Sequence, residues 1–378
     1  MPLDALEGFT IGVTADRRWQ QQADLLARRG AEVLHGPTMA TQYLADVSTL
    51  LVATDAVIAG VDYTVVTTGI GVRAWFEAAE TSGVADGLRR AIDRSQILCR
   101  GPKAAAALQV AGVTSSPALL SESLAELLQP ALGFGLGGAT VAFQHHGSAD
   151  ATWVQRLASE GAQVLEVPVY RWHRPPSDAA AVRLVRSVCA GDVDAVTFTS
   201  APAVANLVRI AADCDLDGPL RAAFNHGGVI AACVGPLCAA GARAEGIESP
   251  VAPEVGRLGL LVRVVTDALA ARSVRWRSQG QPVVLQGGAL AMGATTLSLS
   301  GTERRIFAQM AEKPGAVVSK STLARHLGTT PRAVEASIGR FRTRVGPVAR
   351  QLIQTVQGRG YRLDIGTGAN NLVEVSPL

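Results

Sequence analysis

The chain has 378 residues, 48% of them hydrophobic and 18% charged, a balance that suits two or three cored domains and excludes a disordered chain. Mean hydropathy is +0.22, yet the longest apolar stretch, 258–271, is broken by Arg263 and Asp267 and is no membrane span. The net charge of +3 hides a split: from Thr302 to Arg362 twelve basic residues stand against three acidic ones, a net +9, so the remainder carries −6.

The N-terminus has acidic Asp4 and Glu7 where a secretory signal carries positive charge, so the expected location is the cytoplasm, with no membrane partner. Five cysteines, odd in number and without a C-x-x-C pair, point to neither a disulfide framework nor a zinc site, and no metal or cofactor is expected.

In chain order, the first 270 residues repeat themselves. Leu26–Leu34 with Pro37 (LARRGAEVL) recurs as Leu157–Leu165 with Pro168 (LASEGAQVL), an offset of 131. Thr64–Thr68 recurs as Val196–Ser200 at offset 132, and Arg100-Gly101-Pro102 recurs as Val234-Gly235-Pro236 at offset 134. Short apolar runs at Phe9–Thr14 and Thr140–Gln144 read as strands, and the helices after them end at Gly30 and Gly161, where a left-handed residue fits. Strand–helix alternation of this kind predicts two flavodoxin-like or Rossmann-like parallel α/β domains.

Ligands of such sheets bind beyond the carboxyl ends of the strands. There the sequence places Thr67, Thr68 and Gly69, then Gly101 and Pro102, then Thr199 and Ser200, then Gly235 and Pro236. Free amides and a helix dipole at these points suit a carboxylate or phosphate, although the same residue types also serve as ordinary helix caps. His145-His146 ends another strand, as a carboxylate contact or as an exposed loop pair.

After the apolar helix at 258–272, the polar, basic stretch 271–281 reads as a linker, followed by short strands to Leu299. Ser300-Gly-Thr-Glu303 is a capping box before a helix with Ile306, Phe307 and Met310 inward. A second helix runs from Ser319 to Leu327, and Pro331 opens a third in which Val334, Ile338, Phe341 and Val345 form one inward stripe. Its other face carries Arg332, Ala336, Gly339, Arg340 and Thr343, long donors alternating with minimal side chains as a helix in a major groove needs. Ile353–Val356 and Tyr361–Leu363 flank a hairpin tip with Arg359. A basic module behind an acidic body is the electrostatic layout of a nucleic-acid-binding tail, the alternative being a merely solvated basic surface.

The body resembles the uroporphyrinogen-III synthase family, on RRGAEVLHGP, SEGAQVLEVPVYRW, TFTSAPAV and CVGPLCAAGARAEGI in that order. The resemblance implies two α/β domains joined by a two-segment crossover, one from 1–36 and 172–270, the other from 38–168. It implies a linear tetrapyrrole with eight carboxylates as substrate, no cofactor, and Tyr170 as the residue that helps the hydroxyl leave, where a residue packing a hinge is the alternative. The sequence departs from the family pattern at Gly69-Ile70-Gly71 and at two threonine positions, here Ala104 and Cys238, which removes hydroxyls from the site and argues against full activity.

The tail resembles the winged-helix effector domain of OmpR/PhoB-type response regulators over 282–365, on LSLSGTERRIF, VVSKSTLARHL, VEASIGRFRTRV and TVQGRGYRL, with 366–378 as a terminal tail. The resemblance implies double-stranded DNA as partner, base reading by the third helix, and DNA or phosphate contacts from Lys320, Arg340, Arg342, Arg344 and wing Arg359. A homodimer on paired half-sites, and RNA polymerase or another regulator, are further partners it implies. The combined expectation is a transcriptional regulator whose body senses a tetrapyrrole or other small anion, with an active synthase that also binds DNA as the alternative.

Overall fold

The computed structural model describes residues 3–43, 48–121, 123–133, 136–145, 151–173, 175, 177–365 and 374–375. The chain divides into two compact units, Ala40–His173 and Met1–Met39 with Arg174–Leu378. The first holds a five-stranded parallel sheet in the order Leu119–Ser121, Gln96–Arg100, Tyr63–Val66, Thr140–Gln144, Gln163–Val167. The second holds Ile230–Cys233, Ala195–Phe198, Thr10–Val13 and Glu32–His35, also parallel, with Val251 bridged to Ala232 at the outer edge. Strands such as AVTF and IAAC are buried along their whole length, as two-sided helix cover demands. Each sheet therefore has a core on both faces: Trp75, Leu88 and Ile92 against Leu127 and Phe143 in one unit, Leu184, Phe198 and Leu207 against Ile11, Leu26 and Val262 in the other.

The two repeats exchange halves. The strands of the first repeat are split between the sheets, with Thr10–Val13 and Glu32–His35 in one and Tyr63–Val66 onward in the other, and the second repeat supplies the complementary halves. Both sheets consequently show the flavodoxin-like strand order 2-1-3-4-5 when numbered from Thr10 and from Thr140. An aspartate clamps each junction. Asp62 takes the Thr140 amide on its carboxylate (2.7 Å) and donates its own amide to the Thr140 carbonyl (2.9 Å); Asp194, 132 residues later, does the same to Thr10 (2.8 and 2.8 Å). Where the chain passes between units, Ala40–Tyr43 pairs antiparallel with Tyr170–His173. Gly30 (φ +93°) and Gly161 (φ +88°) do occupy the left-handed positions after their helices.

The carboxyl-terminal module is a winged helix with its own core, from Trp276 to Leu363. An antiparallel sheet, Val274–Ser278, Gln281–Gln286, Ala289–Met292 and Thr295–Ser298, precedes helices Gly301–Ala311, Lys320–His326 and Pro331–Val345, and the hairpin Ile353–Val356 with Gly360–Leu363 closes it. The stretch 271–281 read as a linker thus contains a strand. Its arginines, Arg275 and Arg277, alternate with inward Trp276 and Ser278, so only the outward face is basic; Trp276 Nε1 donates to the Asp364 carbonyl at 3.0 Å. Glu374–Val375 adds a strand beside it, and the rest of 366–378 lies outside the described residues. The capping box is present: Glu303 Oε2 accepts from the Ser300 amide (2.8 Å) and Ser300 Oγ from the Glu303 amide (3.4 Å).

The module meets the neighbouring sheet of its unit through polar groups. Gln286, 4% exposed, donates to the carbonyls of Asp4 (2.8 Å) and Glu7 (3.0 Å), and the Gly288 amide donates to the Gly8 carbonyl (2.6 Å). Gly287 has φ +53°, and a Cβ there would meet the Gly8 carbonyl at 2.5 Å. Arg304, from the first module helix, ion-pairs with the buried Asp194 carboxylate. Burial pushes the Asp194 carboxyl above the usual carboxylate range, against the pull of Arg304, the Thr10 amide and Arg272. Burial likewise lowers the Arg272 guanidinium.

Replacing Asp194 with alanine strips the acceptor from Arg304 and from the Thr10 amide, and is expected to destabilise the chain by about 3–5 kcal/mol in urea unfolding. Asp194→Asn keeps an acceptor for Thr10 and should cost less. Because the folded carboxyl titrates above its unfolded value, its charge in the fold is a penalty that is relieved on acidification. Wild-type stability should therefore rise relative to Asp194→Asn as pH falls through the window from the raised folded value to the ordinary carboxylate value; an unchanged difference would contradict the assignment.

Candidate functional site

In the unit 40–173, the strand Tyr63–Val66 ends at Thr67-Thr68-Gly69, and Thr68 caps the helix Gly69–Thr81 by accepting from the Gly71 amide (3.1 Å). The amides offered here are already used. Gln144, at the end of the adjacent strand, accepts from the amides of Thr67 (3.1 Å) and Thr68 (3.2 Å) on Oε1, while Thr67 Oγ1 donates to its carbonyl (2.7 Å). Arg100 Nε adds a bond to the Thr67 carbonyl at 3.0 Å. The Gly-Ile-Gly departure now has a physical reason: a Cβ at Gly71 would collide with the Gln144 amide, and one at Gly69 with the Lys103 carbonyl. Gly101 (φ +81°) and Pro102 open their helix, and among the described residues nothing lies within 4 Å of a Gly101 Cβ. His145 is buried, and its Nε2 lies 2.7 Å from Glu166 Oε2; His146 lies outside the described residues. Tyr170 sits on the crossover strand, in register with Tyr43.

In the other unit, Thr199 is exposed and Ser200 begins the helix Ala201–Ala212 without a side-chain cap. Among the described residues Ser200 Oγ is buried without a hydrogen-bond partner, in contrast to the plugged Thr67-Thr68 end. Gly235, fully extended, caps the helix Pro236–Ala244, and a Cβ on it would approach Gly256 at 3.2 Å. Sequence reasoning missed a third loop at this edge: exposed Arg17 and Arg18 follow Thr10–Val13, and Trp19 stacks on His35 with centroids 3.9 Å apart. The signal was the Asp-Arg-Arg triplet shortly after a strand. Among the described residues no group of three or more metal-ligating side chains comes together.

The helix Pro331–Val345 is capped by Thr330, whose Oγ1 accepts from the Ala333 amide (3.2 Å), and it buries Val334, Ser337, Ile338 and Phe341. Arg332, Ala336, Gly339, Arg340 and Thr343 are all exposed, and among the described residues nothing lies within 4 Å of a Cβ at Gly339. The basic residues divide by role. Arg342 is a strut, bonded to the Ile353 carbonyl (2.8 Å) and Thr355 Oγ1 (2.9 Å), and lying over the Tyr361 ring. Arg344 binds Glu303 (2.6 Å) and the Ser298 carbonyl (3.1 Å), and Lys320 pairs with Glu335. Arg332, Arg340 and the wing-tip Arg359 present exposed guanidiniums, Arg340 steadied by Ser337 Oγ at 3.1 Å. No helix among the described residues is long and apolar enough to cross a membrane.

Comparison with known proteins matches two regions of the chain. Residues 20–262 match the family model "Uroporphyrinogen-III synthase HemD", and 294–363 match "Transcriptional regulatory protein, C terminal". A mutant uroporphyrinogen III synthase from the extreme thermophile Thermus thermophilus superposes with a TM-score of 0.60 at 30% identity, covering 69% of this chain and 98% of that one. The "Uncharacterized protein YjjA" of Bacillus subtilis (strain 168) is 29% identical over 257 residues, 68% of this chain and 94% of that protein. The C-terminal domain of the nisin resistance regulator NsrR is 28% identical over 21% of this chain and 88% of its own, with a TM-score of 0.20. With the family model spanning well over half its length, the chain belongs to the uroporphyrinogen-III synthase HemD family, and it carries an OmpR/PhoB-type DNA-binding domain fused behind that body.

Proposed function

We propose that this protein is a transcriptional regulator whose synthase-like body senses a small anionic ligand, a tetrapyrrole or a precursor of one, and conveys its presence to the winged helix. One observation carries the reading: the strand Ala195–Phe198 has Thr199-Ser200 at its carboxyl end and Asp194, which holds Arg304 of the module, at its amino end. Six residue steps of extended chain lead from Asp194 to Ser200, about 20 Å. A ligand that orders the Ser200 end therefore pulls on the same strand that anchors the DNA-binding module, and binding at one site biases the other through a shared element. The exposed Arg332, Arg340 and Arg359 supply base and phosphate contacts, and the plugged Thr67-Thr68 end argues for a sensor rather than an efficient catalyst.

A second reading, an active uroporphyrinogen-III synthase that also binds DNA, is favoured by the near-complete coverage of the Thermus enzyme. A coupled assay with hydroxymethylbilane separates the two. The sensor reading expects thermal stabilisation by the tetrapyrrole with only the spontaneous type I product; enzymatic type III product that is lost in Tyr170→Phe establishes the synthase instead. No stabilisation by any tetrapyrrole overturns the ligand class.

For DNA, gel shifts on the duplex upstream of its own gene should give a binding constant that falls steeply with salt. Arg359→Ala is expected to weaken binding across sequences and reduce the salt slope by about one. Arg340→Ala should cost about 1–3 kcal/mol of discrimination at one base pair. Arg342→Ala should instead lower stability. Absent or salt-insensitive binding would sink the regulator reading.

A further inference from the structure

The duplication gives both sheets the same amino end. Asp62 and Asp194 hold Thr140 and Thr10 in the same way, and the match continues around them. The Gln96 amide donates to the Asp62 carbonyl (2.8 Å) as the Ile230 amide does to that of Asp194 (2.9 Å). Gly138 (φ +79°) turns the chain into its strand as Gly8 (φ +82°) does, each turn closed by an amide bond to a buried leucine carbonyl, Leu136 or Leu6.

The two ends differ in what covers them. A Cβ on Gly8 would meet the Ala289 amide and the Gln286 carbonyl of the module, both at 2.5 Å, and Asp194 Oδ1 holds the Arg304 guanidinium. Among the described residues a Cβ on Gly138 would meet nothing within 4 Å, and exposed Asp62, whose Oδ2 takes the Thr140 amide, has no partner on Oδ1. In place of the module is a cavity of about 520 Å³ lined by Asp62, Arg94, Gln96 and Gly138, a volume within the range of small-molecule sites.

Arg94 supplies the second charge. Counted back from Gln96, it stands where the other repeat has Gly228, whose carbonyl takes a bond from Arg272. Its guanidinium is exposed and, among the described residues, pairs with no carboxylate, although it shares the cavity with Asp62. We propose that this cavity binds a small zwitterion carrying a guanidinium and a carboxylate, a ligand of the arginine class.

The ligand's guanidinium takes the Asp62 oxygen whose counterpart is filled by Arg304, so the protein's own side chain shows which group that oxygen accepts. The ligand's carboxylate goes to Arg94, whose planar fork suits two parallel bonds. The Gly138 carbonyl, counterpart of the Gly8 carbonyl that accepts the Gly288 amide at 2.6 Å, is the acceptor for an ammonium. An arginine side chain on a partner protein would satisfy Asp62 and leave Arg94 bare, so the pair of opposite charges favours the free zwitterion. Exposed ion pairs are individually weak, and the expected affinity is about millimolar. The cavity is at the opposite end of the strand Tyr63–Val66 from Thr67-Thr68, and the inference does not depend on the regulator reading.

The test is isothermal titration calorimetry of the full chain with L-arginine, where one saturable site per chain is expected. Asp62→Asn, which keeps an acceptor for the Thr140 amide, should weaken binding about fivefold or more, and L-citrulline, which has an uncharged urea in place of the guanidinium, should bind wild type about fivefold more weakly. Arg94→Ala should lower the affinity for L-arginine to that for N-acetyl-L-arginine amide, which stands for an arginine within a chain, and leave the affinity for the amide unchanged. Absence of a saturable site, equal binding of citrulline, or unaltered L-arginine binding in either variant overturns the proposal. An amide that binds wild type as tightly as L-arginine also overturns it, and makes the occupant an arginine of another protein.

Discussion

One buried carboxylate holds much of the larger unit in register. Asp194 closes the junction between the first and second repeats by gripping the Thr10 amide, and its other oxygen receives Arg304 from a module 110 residues further on. Taking that charge out of water is costly, as its raised titration indicates, and the cost is met only because three cationic or N–H groups converge on it. Among the described residues the seam has no hydrophobic cluster shared between module and body, so orientation rests on directional bonds, which break and reform with less penalty than a packed core. The equivalent Asp62 in the other unit is exposed, beside a cavity of about 520 Å³ lined by Tyr63, Arg94, Gln96 and Gly138. Two like ends were available; the module occupies one.

The carboxyl ends of the two sheets have diverged as well. At Thr67-Thr68 the protein supplies its own acceptor, Gln144, and two glycines give it room. At Ser200 the hydroxyl is buried without a partner among the described residues. A buried polar group left unpaired carries a cost of about 1–3 kcal/mol, and of the two ends it is the one in the unit that also carries the winged helix that bears it.

Much of this is legible in the residues. Repeated landmarks reveal the duplication, Gly30 and Gly161 mark the helix ends, and the Ser300–Glu303 spacing marks the capping box, because each is a local rule acting over a few positions. The repeat alone does not reveal the exchange of halves, since an offset says that two segments are alike and nothing about which strands pair; the division into 1–36 with 172–270 and 38–168 comes only through the family resemblance. Asp194–Arg304 and Gln144–Thr67 are hidden for the same reason: each partner, alone, reads as an ordinary polar residue, and only the fold brings them together. The strand Val274–Ser278 is masked because its outward arginines dominate a short window. Arg342, a DNA contact by the family resemblance, is bonded in the fold to the Ile353 carbonyl and Thr355 Oγ1, partners that its place on a basic helix does not announce.

The exchange of halves also sets the order in which the molecule can be made. The central pairing of the larger unit's parallel sheet joins Thr10 to Asp194 across 184 residues, so the first strand must wait, on a ribosome adding about 5–20 residues per second, roughly 10 to 40 s for its partner. During that interval apolar strand edges from Thr10–Val13 and Glu32–His35 are bare, which is the condition that invites mispairing and chaperone capture. The winged helix has its own core, from Trp276 to Leu363, and is synthesised last. Its docking on Asp194 is then a late event that reports completed assembly of the body, since the carboxylate it needs is in place only when both repeats have found each other.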